Sequence, residues 1–124
     1  MIFLTLPWPP SNNRYYRHIA KGAHAGRTLL SFEGRDYRTA VQAIVAATGV
    51  QKPLEGRLGV SINAHPPDAR RRDLDNLLKS VLDSLQHANV FLDDSQIDFL
   101  SIHRCGKLAG GKLDVFVEEM ENEI

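Results

Sequence analysis

Arg57-Leu58-Gly59-Val60-Ser61-Ile62-Asn63-Ala64 and, further on, Leu74-Asp75-Asn76-Leu77-Leu78-Lys79-Ser80-Val81-Leu82-Asp83-Ser84-Leu85 decide the fold, because the apolar period changes between them. In residues 57–64, Leu58, Val60, Ile62 and Ala64 alternate as on one face of a half-buried strand. In the second stretch Leu74, Leu77, Leu78, Val81, Leu82 and Leu85 form a wide helical stripe, predicting a helix over about 74–88. Pro66-Pro67 stops the strand, and Ala88-Asn89 can end the helix because Asn tolerates the left-handed conformation.

Working outward, residues 2–6 read as a strand halted by Pro7-Trp8-Pro9-Pro10, and Ser11-Asn12-Asn13 is turn chemistry. Residues 14–18 and 27–31 read as an exposed loose hairpin. Ser31 is placed to cap a helix over 32–47, with Tyr37, Val41, Ile44 and Val45 at helical spacing and Thr48-Gly49 beyond. Strands are expected over 96–104 and 112–119, joined through Gly110-Gly111, with the acidic tail 118–123 fraying. This order gives an α+β fold: a mixed β-sheet with two main helices packed on one face, in a single domain over 1–124.

Apolar content of 43% and charged content of 24% belong to a globular chain, and no apolar run reaches the roughly 20 residues of a membrane span. The reading is a cytoplasmic protein with no membrane partner. The lone Cys105 reads as a buried filler with no disulfide or zinc role. Formal net charge is zero, yet residues 1–72 hold eleven Lys/Arg against four acids, and residues 73–124 hold four against eleven. A +7 half able to hold a polyanion is thus followed by a −7 half able to hold metal.

The change of sign falls within Arg70-Arg71-Arg72-Asp73-Leu74-Asp75-Asn76. Guanidinium groups suit phosphate, and clustered aspartates suit a hard divalent cation. Asp73 and Asp75 diverge by about 200° inside a helix, so they converge only if Asp73 is the N-cap and Asp75 opens the first turn. Simple capping explains Asp73 equally well, and an exposed i,i+4 ion pair explains Asp75 with Lys79. The functional reading sets the Lys79 ammonium against a phosphate whose charge grows in the transition state. Asp93-Asp94 is either a polar turn or an acidic pair that an antiparallel return brings back to the helix start. His18, His24, His65, His87 and His103 have no metal-ligand spacing and read as surface or satisfied histidines.

Three stretches carry a resemblance: Leu6-Pro7-Trp8-Pro9-Pro10-Ser11-Asn12-Asn13-Arg14-Tyr15-Tyr16-Arg17-His18, Arg70 to Leu77, and Phe91-Leu92-Asp93-Asp94. Together they resemble the RusA-type Holliday junction resolvases, small endonucleases of bacteria and their prophages, over nearly the whole chain. The resemblance implies a homodimer that binds four-way DNA junctions and makes two symmetric cuts with magnesium, for which manganese can substitute. It implies catalytic, metal-binding aspartates at Asp73, Asp75 and Asp94, an essential lysine at Lys79, and a cytoplasmic, nucleoid-associated location. His87-Ala88-Asn89 and Phe91-Leu92 depart from the family pattern, which bears on any cut-site preference. DNA contacts are expected from Arg70, Arg71, Arg72, Asn76, Arg14, Arg17 and Lys21. Trp8, Tyr15 and Tyr16 either stack on unpaired bases or plug the edge of the core. The competing reading is a non-catalytic module that holds branched DNA, with the acids as caps and solubilising charge.

Overall fold

The computed structural model describes residues 1–23 and 25–120. Strand β1 (Ile2–Leu6) is followed by a four-residue helix α1 (Asn12–Tyr15) and a short antiparallel pair, β2 (Tyr16–His18) with β3 (Thr28–Leu30). Then come helix α2 (Phe32–Ala47), β4 (Leu58–His65), a 3₁₀ turn (Leu74–Leu77), α3 (Leu78–His87), a second 3₁₀ turn (Asp94–Gln96), β5 (Ile97–Arg104) and β6 (Lys112–Glu119). The main sheet has the order β1-β6-β4-β5. Its β1/β6 and β6/β4 pairs are antiparallel and β4/β5 is parallel, so the α+β expectation with a mixed sheet holds.

Alternation along the strands sorts the side chains. Leu4, Leu6, Leu58, Val60, Ile62, Ala64, Leu113, Val115 and Val117 are buried in one core with Tyr37, Val41 and Val45 of α2 and Val81 and Leu85 of α3. Both main helices therefore cover one face. The opposite face carries an exposed Phe3 beside Phe116, ring centroids 4.8 Å apart, and an exposed Phe99. Truncating a fully buried side chain such as Leu85 to Ala costs roughly 2–5 kcal/mol.

Helix α2 has the expected bounds, and the Ser31 hydroxyl accepts from the Gly34 N–H at 2.9 Å. Gly34 is required there, because a Cβ would run into the Tyr15 carbonyl oxygen. That contact lets the β2–β3 hairpin and α1 dock on α2, and Tyr15 is fully buried as the plug reading has it.

Four sequence readings are corrected. The helix expected from 74 starts as a 3₁₀ turn, whose threefold repeat keeps Leu74 and Leu77 on one side, and α3 proper begins at Leu78. Asp73 occupies the cap position in an extended conformation, but its side chain caps nothing. Glu118 and Glu119 belong to β6, not to a frayed tail, and the Met120 N–H donates to the Arg57 carbonyl at 2.7 Å. Cys105 is half-exposed, not buried. Asn89 does adopt the left-handed conformation, at φ 63°. His24 and the remainder of the acidic tail lie outside the described residues.

The crossover decides where the acids go. A parallel neighbour must begin at the same end of the sheet as β4, so the chain returns along α3 before β5 starts. Asp75 therefore stands at the start of the α3 segment and Asp94 at its far end, where the Asp94 N–H donates to Gln86 Oε1 at 3.2 Å. The ten residues of α3 rise about 15 Å.

Candidate active site

Two grooves lie on either side of the Ser11–Tyr15 segment. The larger, about 590 Å³, is lined by Trp8, Pro9, Pro10, Ser11, Arg14, Arg70, Arg71, Arg72, Asp73, Asn76 and Leu77. The smaller, about 250 Å³, is lined by Asn12, Asp75, Leu78, Lys79, Leu82, Asp83, Gln86 and Asp94. The first collects the arginines of the basic half. The second follows the polar stripe of α3.

In the basic groove one carboxylate organises the arginine run. Asp68 Oδ1 accepts from the Arg70 N–H at 2.9 Å and from Arg72 Nη1 at 2.7 Å, and Oδ2 accepts from Arg70 Nε at 3.3 Å. The Arg72 guanidinium, aided by the Arg70 N–H, holds the Asp68 carboxyl well below the usual range. The Arg72 guanidinium also sits 5.7 Å over the Trp8 ring, and the Arg72 carbonyl accepts from Arg104 Nη2 at 2.6 Å. Arg72 is thereby fixed, whereas the Arg70 side chain is 83% exposed and Arg71 makes no hydrogen bond or ion pair among the described residues.

The acidic groove is organised the other way round, by one arginine. Arg38 of α2 donates from Nη2 at 2.5 Å and from Nε at 2.9 Å to Asp83 Oδ2, and Nε also reaches Tyr15 Oη at 3.0 Å. The Tyr15 hydroxyl donates to the same carboxylate. Burial first, and the Asp83 hydrogen bond second, push the Tyr15 phenol up to about 12. With Asp83 tied to Arg38, Lys79 makes no ion pair among the described residues, so the i,i+4 pairing with Asp75 does not form. Asn12 Oδ1 is buried with no hydrogen-bond partner, which costs roughly 1–3 kcal/mol.

The Asp93-Asp94 turn is held by Gln96. Its Oε1 accepts from the Leu92 and Asp93 N–H groups at 2.8 and 2.9 Å, and its Nε2 donates to the Leu54 and Gly56 carbonyls, both at 2.9 Å. The Asp93 carboxylate caps the turn by accepting from the Ser95 N–H at 2.8 Å, a bond that lowers its pKa from the ordinary value. Asp93 is the cap, and Asp94 faces the groove.

Of the residues expected at the site, Asp75, Lys79 and Asp94 share the acidic groove, and Arg70, Arg71, Arg72, Asp73, Asn76 and Arg14 share the basic one. Arg17 and Lys21 are exposed on the hairpin and line neither. The expected three-aspartate cup does not form within one chain: among the described residues no group of three or more His, Cys, Asp or Glu gathers closely enough for a metal ion. The parallel crossover separates Asp94 from Asp75, and the 3₁₀ turn leaves Asp73 in the other groove. Sequence reading missed the organising roles of Asp68, Arg38 and Gln96. Asp68 left a local signal four residues before Arg72, and Gln96 left one three residues after Asp93, the spacing of a capping box; the partners of Arg38 are distant in sequence.

A cationic groove beside an acidic groove, with a lysine that makes no ion pair among the described residues, has the chemistry of a phosphodiester-handling protein. The family model described as Endodeoxyribonuclease RusA matches residues 7–118, and the chain belongs to that family. It is 43% identical over 120 residues to the crossover junction endodeoxyribonuclease RusA of Enterobacteria phage 82. It is equally similar to the proteins of that name from Shigella sonnei (strain Ss046) and Escherichia coli (strain K12). Each alignment covers 97% of this chain and 96% of the relative.

Proposed function

We propose that this chain is a structure-selective endodeoxyribonuclease that resolves four-way DNA junctions by paired symmetric nicks, acting in recombination and repair as one catalytic domain over residues 1–124. The observation that carries the reading is that one segment, Ser11 to Arg14, lines both grooves: a grip for DNA phosphates beside carboxylates and an ammonium with no ion pair among the described residues. Relatives that are 43% identical over 97% of the chain bear the name crossover junction endodeoxyribonuclease, which supports the same activity here.

In this proposal Arg70, Arg71, Arg14 and Asn76 hold the backbone, and Arg72 holds the loop in shape. Lys79 faces the scissile phosphate, and Asp73 stands where the strand leaves the basic groove. Magnesium is the proposed cofactor, with manganese as substitute; when bound it activates a water and polarises the phosphate. Magnesium typically takes one or two protein carboxylates and keeps several waters. Asp75 and Asp94 have the right chemistry but stand at opposite ends of the groove, so one chain offers the cation a single carboxylate from this pair. A homodimer resolves this. A two-fold axis pairs one end of a groove with the other end of its copy, so Asp75 of one protomer can meet Asp94 of the partner subunit. The same symmetry supplies two equivalent cuts. No helix among the described residues is long and apolar enough to cross a membrane, and the proposed location is the cytoplasm, at the nucleoid.

The test uses purified protein, a synthetic immobile four-way junction and magnesium. Symmetric nicks are expected with the unaltered chain and none with Asp75→Asn, while junction binding persists. Nicking that survives Asp73→Asn, Asp75→Asn and Asp94→Asn combined sinks the proposal. The lack of a three-acid cluster among the described residues favours one rival, a non-catalytic junction-binding module. Tight binding with no nicks in either magnesium or manganese would establish that rival.

A further inference from the structure

Asn12 belongs to the acidic groove, yet its carboxamide makes no hydrogen bond among the described residues. The segment around it is fastened to α3 by its neighbours. Ser80 Oγ donates to the Pro10 carbonyl at 3.1 Å, and the Tyr15 hydroxyl meets Asp83 and Ser84. These ties lay α1 across the middle of α3, over the turn that carries Lys79 and Asp83, and Asn12 lines the groove there. A carboxamide offers two N–H donors and a carbonyl acceptor. Its Oδ1 is buried without a partner, and its Nδ2 makes no hydrogen bond among the described residues. An unmatched buried acceptor calls for a reason, and a side chain lining a groove can find it in what it presents there.

The structure assigns to Asn12, we propose, a direct contact with the DNA: its Nδ2 donates to a non-bridging oxygen of the phosphate beside Lys79. A neutral donor suits this place. It orients the phosphate without competing with a cation for the carboxylates. Asn12 also marks the path of the strand, since Ser11 and Arg14 of the same segment line the basic groove while Asn12 faces the acidic one. The inference rests on the endonuclease reading above.

The experiment compares the unaltered chain, Asp75→Asn, Asn12→Ala and Asn12→Ser for thermal midpoint, junction affinity and single-turnover nicking. For Asn12→Ala the expected result is a midpoint that does not fall, as removal of an unmatched buried acceptor predicts. Affinity should stay within about twofold and nicking should fall about 10²–10³-fold, the range for losing one hydrogen-bond donor to developing charge. The Ser hydroxyl should restore part of that loss. Nicking by Asn12→Ala at the unaltered rate overturns the inference, as does a loss that tracks a lowered midpoint. If the unaltered chain itself does not nick, the endonuclease reading fails and this inference falls with it; nicking abolished only by Asp75→Asn leaves that reading intact and removes Asn12 alone.

Discussion

The two grooves use one device in opposite senses. In the basic groove a carboxylate, Asp68, ties down Arg72, pairs more loosely with the exposed Arg70, and leaves Arg71 without an ion pair among the described residues. In the acidic groove a guanidinium, Arg38, ties down Asp83 and leaves Asp75 and Lys79 without ion pairs among the described residues. Each groove is thus shaped by internal ion pairs, Asp68 with Arg72 and Arg70 in one and Arg38 with Asp83 in the other, and the charge beyond them is available to a ligand. The difference separates gripping from cutting, because the groups proposed for each task lie on opposite sides of α1.

That separation breaks first at the chemistry. Asp75→Asn should lower single-turnover nicking roughly 10³-fold or more while gel-shift affinity stays within about twofold; equal losses in both would merge the grooves into one site. Lys79→Ala should cost roughly 10²–10³-fold in nicking, again with little change in binding. On the other side, Arg70→Ala with Arg71→Ala should weaken binding and flatten its dependence on log salt by about 0.9 per lost phosphate contact. At saturating junction the nicking rate should remain, and a lowered saturated rate would show that these arginines act in the chemistry.

Smaller effects separate the internal ion pairs of the two grooves. Asp83→Asn leaves Arg38 and Tyr15 without their charged partner, and denaturant unfolding should report a loss of about 1–2 kcal/mol. Tyr15 and Asp68 should also lose their contributions at opposite ends of the pH scale. Tyr15 is raised to about 12 in the folded chain, so its contribution is complete below the ordinary phenol value near 10 and is lost as pH rises through about 12. Asp68 is lowered, so its contribution is present above the ordinary carboxylate value near 4 and is lost as pH falls below it. Tyr15→Phe should flatten the alkaline limb of a stability profile and Asp68→Asn the acid limb. Any crossing of those effects would contradict the assignments.

Much of this was legible from periodicity. Leu58, Val60, Ile62 and Ala64 announced β4, the α2 bounds followed from Ser31 and its apolar spacing, and Asn89 marked the end of α3. The start of α3 was misread because a leucine at every third or fourth position suits a 3₁₀ turn as well as an α-helix. The candidate residues were legible as types, but their grouping was not. Asp73 and Asp75, two residues apart, face different grooves, while Asn12 and Asp94, 82 positions apart in the sequence, line the same one.

The sequence by itself determined the elements, the face each buries and the family, since these depend on local period, caps and contiguous motifs. Only the tertiary structure decided which charges are free. The parallel β4/β5 pairing sends Asp94 to the far end of α3, and the packing of α2 on α3 brings Arg38 to Asp83 across 45 residues. Coulomb and hydrogen-bond energies depend on distances of a few ångströms, and chain topology sets those distances between residues that the sequence keeps apart.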